Sequence, residues 1–93
     1  MKIENAAIIG AGAIGLGWAI VFARAGVNVS VFDSDPEQLK SFRSKVQKRV
    51  EQLAEIEILT SSANEILGRI KQSSSLSATC AEAGYIQECG PER

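Results

Sequence analysis

The sequence predicts an α/β fold, a parallel sheet wound with helices on both faces. Three observations predict it. Short apolar runs alternate with helical patterns along the whole chain, which is the signature of βαβ units. The first run ends in glycine and passes directly into a helix that is apolar almost all round. The second run is β-branched and ends in an aspartate. The chain's 93 residues allow one small domain with one modest core.

Residues 3–9 form a short apolar run, as a buried parallel strand requires. Residues 13–25 read as a helix whose only charge is Arg24. A helix so apolar is normally covered on more than one side, and Gly26 stands just past its end. Trp18, one turn in, reads as a packing or interface aromatic. Residues 27–32 (VNVSVF) form the second strand, closed by Asp33. Asp35 then caps a long helix, Pro36 occupies its first turn, and Gln38 completes a capping-box pattern. Leu39, Phe42, Val46, Val50 and Leu53 follow at spacings of three and four and mark its buried face. Beyond it the pattern reads as a short helix over 60–67, a third strand over 69–73, a serine turn at 73–75, a short helix over 76–83 and a fourth strand over 85–89, ended by Pro91.

Composition excludes several classes. The formal net charge is −1, and Lys40, Arg43, Lys45, Lys48 and Arg49 are mixed with Glu37, Glu51 and Glu55. That mixture is a solvated helix face, not the clustered basic surface that nucleic acid or an anionic membrane requires. No apolar stretch is long enough to span a bilayer, which needs about 20 residues. The start of the chain lacks a secretory core, so a cytoplasmic location is expected. Cys80 and Cys89 make neither a disulfide framework nor a metal cluster and read as small buried hydrophobes. The chain has no histidine, so the commonest general base and metal ligand is missing.

The informative segment is Gly10-Ala11-Gly12-Ala13-Ile14-Gly15. A GxGxxG alone is a weak signal. Here it lies between a strand and a helix, and an acid ends the next strand, the full context of a Rossmann-type dinucleotide site. Gly10 lets the chain turn sharply, Gly12 lets the backbone approach a pyrophosphate, and Gly15 lets the helix pack on the strand. The N–H groups at the helix start, through Ala13 and Ile14, face the phosphates. Asp33 accepts the adenine ribose hydroxyls, and a 2′-phosphate beside it would meet a carboxylate, so NAD is expected over NADP. A flavin site on the same fold, and tight packing alone, are the competing readings of these glycines.

The segment IIGAGAIGLGWAIVFARAGVNVSVFDSDP resembles the start of the 3-hydroxyacyl-CoA dehydrogenases, in the branch that includes lambda-crystallin (an L-gulonate 3-dehydrogenase) and carnitine dehydrogenase. The tail, YIQECGPER, is similar to that family's fourth strand and the turn after it. The resemblance implies a partial doubly wound sheet of about four strands in the order 3-2-1-4. It implies NAD held by Gly10, Gly12, Gly15 and Asp33, with Glu92 near the nicotinamide side. It also implies that the serine, histidine–glutamate pair and asparagine of the catalytic half, and the helical domain that makes the dimer, lie beyond these residues. On this expectation the chain is the N-terminal part of a dinucleotide-binding domain of an NAD-dependent oxidoreductase, inactive alone and prone to self-association. A stand-alone nucleotide-binding module would show the same sequence.

Overall fold

The computed structural model describes residues 3–56, 62–73 and 75–89. Its elements run β1 (Asn5–Ile9), α1 (Ala13–Arg24), β2 (Asn28–Phe32), α2 (Pro36–Ile56), α3 (Ala63–Gly68), β3 (Ile70–Gln72), α4 (Leu76–Cys80) and β4 (Tyr85–Glu88). All strand pairs are parallel, in the expected order β3-β2-β1-β4.

Register divides the sheet into two unlike faces. Ile8 lies beside Val31, and Val29 beside Ile70, so these four side chains share one face. They form the core with Ala19, Ile20 and Ala23 of α1, Phe42, Val46 and Val50 of α2, and Ile66 of α3. The three α2 residues are fully buried, which is the stripe their spacing predicts, while Leu39 and Leu53 flank it half-buried. The opposite face carries Asn28, Ser30 and Lys71, which border a hollow shared with Ala78 and Thr79 of α4. This division follows from handedness. The steps from β1 to β2 to β3 move one way across the sheet with right-handed crossovers, and the step to β4 returns, placing α4 on the other face.

Hydrogen bonds refine several sequence expectations. The helix expected over 60–67 is Ala63–Gly68, and the start expected at Thr60 lies outside the described residues. Its cap is Ser62, whose Oγ accepts the Glu65 N–H while Glu65 Oε1 accepts the Ser62 N–H, both at 3.2 Å. The bond from the Ser62 backbone, then that from its hydroxyl, holds the Glu65 carboxyl below its ordinary value. This contribution to stability is present above the ordinary carboxylate range and is lost as pH falls through the lowered folded value.

At the start of α2, Asp35 Oδ1 accepts the Glu37 N–H at 3.0 Å. The capping box expected with Gln38 does not form. Asp33 lies two residues upstream, within reach of a local Asx turn, and its Oδ1 takes the Asp35 N–H at 2.8 Å. Arg43 departs from the solvated face to which its neighbours belong. It is half-buried and donates to the carbonyls of Leu67, at 3.2 Å, and Ile70. It thereby ties α2 to the end of α3 and the start of β3. The cysteines are half-buried and free, not fully buried.

One face of α1 stays open among the described residues: Ile14, Trp18 and Val21 are exposed. The Trp18 ring stands 5.9 Å from that of Phe22, which stands 5.4 Å from that of Tyr85 on β4. No described helix is long and apolar enough to cross a membrane.

Candidate functional site

The glycine turn joins three backbones. Gly10 has φ +122°, a conformation L side chains rarely adopt. Its N–H extends the sheet by bonding the Phe32 carbonyl at 2.7 Å. A Cβ on Gly10 would lie 1.9 Å from the Cys89 carbonyl oxygen, and one on Gly15 would lie 1.8 Å from the Gly10 carbonyl oxygen. These two glycines are therefore required by the packing of β1, β4 and α1. Gly12 is different. Among the described residues, a Cβ there would meet only the Gln38 Nε2, at an ordinary 3.6 Å. Packing alone does not explain Gly12.

Gly12 is the N-cap residue of α1, and among the described residues no side chain caps the helix; its first turn also carries no acid. Each of the other described helices is capped by a side-chain oxygen, from Asp35, Ser62 or Ser75. The first N–H groups of α1, at Ala13 and Ile14, thus keep the positive end of the helix dipole without a partner among the described residues.

Asp33 faces this turn from the end of β2. Its Oδ2 accepts the Ala11 N–H at 2.7 Å and its Oδ1 the Asp35 N–H at 2.8 Å. The carboxylate is locked between the glycine turn and the start of α2, with lone pairs left for a hydroxyl ligand. The sequence pointed to Asp33 as a ligand; its role as a brace emerges only from the geometry.

These groups surround a cleft of about 680 Å³, within the usual range for small-molecule sites. Gly10, Gly12, Ala13, Ile14 and Gly15 line it, Asp33 and Gln38 form one wall, and Glu88 and Cys89 the other. It opens at the carboxyl ends of β1, β2 and β4, where the strand order reverses. No Lys or Arg lines it among the described residues. Partial burial raises the pKa of the Cys89 thiol, keeping it neutral. A second hollow of about 590 Å³ lies at the amino ends of the strands and borders the carboxyl end of α4, away from any glycine turn. Among the described residues no three His, Cys, Asp or Glu side chains are placed to hold a metal. Glu92 lies outside the described residues. Gln38, Glu88 and Cys89 were not expected in the site; Gln38 was hidden because its position reads as a capping residue.

The cleft fits a dinucleotide. Unneutralised N–H groups suit a diphosphate, Gly12 leaves the approach open, and a fixed carboxylate suits a ribose. The comparisons agree. Residues 5–93 match the family described as the 3-hydroxyacyl-CoA dehydrogenase, NAD binding domain. Lambda-crystallin of Oryctolagus cuniculus is 32% identical over 91% of this chain and 27% of its own length. L-carnitine dehydrogenase of Mesorhizobium japonicum is 34% identical over 98% of this chain and 24% of its own. The chain thus spans about a quarter of these curated relatives. The 3-hydroxybutyryl-CoA dehydrogenase of Escherichia coli superposes with TM-score 0.86 at 26% identity, over all of this chain and 20% of that one. The enzyme of the same name from Ralstonia eutropha gives 0.83 at 26% identity, over 99% and 32%. Sequence match, sheet order and glycine turn agree, and the chain belongs to the NAD-binding domains of the 3-hydroxyacyl-CoA dehydrogenase family.

Proposed function

We propose that the cleft holds NAD with its pyrophosphate over Gly10, Gly12, Ala13, Ile14 and Gly15 and its adenine ribose on Asp33. The observation that carries this reading is the uncapped start of α1 facing a braced carboxylate across one cleft. NAD held there would supply a hydride acceptor for the oxidation of a secondary alcohol. We propose such an alcohol, a 3-hydroxyl on an acyl, sugar-acid or carnitine-like skeleton, as the substrate of the whole protein. The role of these residues is to bind and orient the dinucleotide. With no histidine in the chain, the proton acceptor is assigned to residues outside it.

Calorimetric titration of the purified 93-residue chain tests the site. NAD binds, NADP binds more weakly because its 2′-phosphate meets Asp33 and Asp35, and Asp33→Ala weakens NAD by roughly 10- to 100-fold, the worth of hydrogen bonds to a charged group. Equal binding of NAD and NADP, or no loss in Asp33→Ala, overturns the assignment of Asp33.

We further propose that the 93-residue chain self-associates through the exposed Ile14–Trp18–Val21 face or the β4 edge. β4 pairs only with β1 among the described residues, and an unpaired edge is a template for another chain. Sedimentation shows mass rising with concentration. A monomer throughout the range overturns this.

A further inference from the structure

We propose that Gln38 is a cofactor-positioning residue whose side-chain amide donates a hydrogen bond to the pyrophosphate beside Gly12; this rests on the NAD reading above and deepens it. Three observations converge on it. First, Gln38 Nε2 is, among the described residues, the one non-neighbouring heavy atom within 4 Å of the Cβ position of Gly12. The amide therefore stands beside the open side of the turn, where the diphosphate passes. Second, Gln38 has been released from capping. Its place in the sequence would send its side chain back to the Asp35 N–H, but Asp33 Oδ1 holds that N–H. The Gln38 amide makes no hydrogen bond to another described residue, and only its main-chain carbonyl is engaged, by Ser41 Oγ at 3.2 Å. Third, it is half-buried and lines the cleft together with Gly12, Asp33, Ser34 and Asp35.

The residue type discriminates between roles. A capping box accepts Glu or Gln at this position equally. A site for a diphosphate does not, because a carboxylate this close to Gly12 would repel the anion while an amide N–H attracts it. Asp33 and Asp35 already line this part of the cleft with negative charge, so Gln38 supplies a neutral donor beside these acids. Brace and donor are linked: by taking the Asp35 N–H, Asp33 frees Gln38 for the ligand.

The test is calorimetric titration of the unaltered chain, Gln38→Ala and Gln38→Glu with NAD, ADP and adenosine, with circular dichroism to show that each variant is folded. Gln38→Ala weakens NAD and ADP about tenfold and leaves adenosine unchanged. Gln38→Glu weakens NAD and ADP further, and the added loss shrinks as salt is raised. NAD affinity within twofold in both variants, with Asp33→Ala still impaired, overturns the role of Gln38 and leaves the cleft reading intact. An equal loss for adenosine moves the contact off the pyrophosphate and overturns it too. No NAD binding by the unaltered chain overturns both readings.

Discussion

Gly10→Ala unfolds the chain or leaves it barely folded. The added Cβ falls 1.9 Å from the Cys89 carbonyl oxygen and 2.9 Å from its carbon, and both atoms belong to backbone. Relief requires β4 to move from β1, which breaks the bond from the Cys89 N–H to the Ile9 carbonyl at 2.7 Å. If Gly10 instead changes conformation, it loses the 2.7 Å bond to Phe32 that joins the turn to β2. Holding a non-glycine residue at φ +122° itself costs about 1–3 kcal/mol. With the overlap added, the loss reaches roughly 4–5 kcal/mol, the exceptional end of single substitutions. A chain of 93 residues has only roughly 5–14 kcal/mol in total at typical values per residue. Urea unfolding followed by circular dichroism measures the effect, with Gly17→Ala as the control. A Cβ at Gly17 meets nothing within 4 Å among the described residues, so that variant gains up to about 1 kcal/mol of helix propensity. A Gly10→Ala midpoint matching the unaltered chain would show that the junction of β1, β4 and α1 is looser than described.

The fold was legible where local pattern and tertiary demand agree. VNVSVF alternates, and the sheet buries Val29 and Val31 on one face while Asn28 stays exposed. The Phe42, Val46 and Val50 stripe needs only the helical period. What escaped reading depended on partners distant in sequence. Arg43 looks like its basic neighbours until α3 and β3 arrive with carbonyls for it. Ser62 and Glu65 carry a capping signature, yet the weakly apolar stretch before them offers no period to mark the boundary. In the site, the glycines and Asp33 were legible because their order is distinctive. Gln38 was not, since its cap at Asp35 is taken by Asp33, whose place in the motif marks it as a ligand. Nor does sequence distinguish Gly12 from Gly10 and Gly15. All three fit one motif, but among the described residues only two are fixed by contacts.

That difference separates folding from binding. Gly12→Ala keeps the fold and loses the cofactor. At Gly12, φ −79° and ψ −168° are ordinary extended values for any residue, and the nearest atom to the new Cβ is the flexible end of Gln38 at 3.6 Å. Alanine is the poorer N-cap residue by roughly 0.5 kcal/mol. Its restricted unfolded chain restores about 0.4–1 kcal/mol, so the unfolding midpoint stays nearly unchanged. Binding is another matter. On the proposed placement of NAD, the methyl group occupies the side of the turn from which the diphosphate reaches the Ala13 and Ile14 N–H groups, and pushing the phosphates outward weakens several charge-assisted hydrogen bonds together. At about 1.5–3 kcal/mol for each such bond, NAD affinity falls by two orders of magnitude or more. Calorimetry and urea unfolding on the same preparation read both quantities. Unaltered stability with lost affinity assigns Gly12 to the ligand. Unaltered affinity places the pyrophosphate elsewhere in the cleft, and a loss of stability makes Gly12 a third packing glycine.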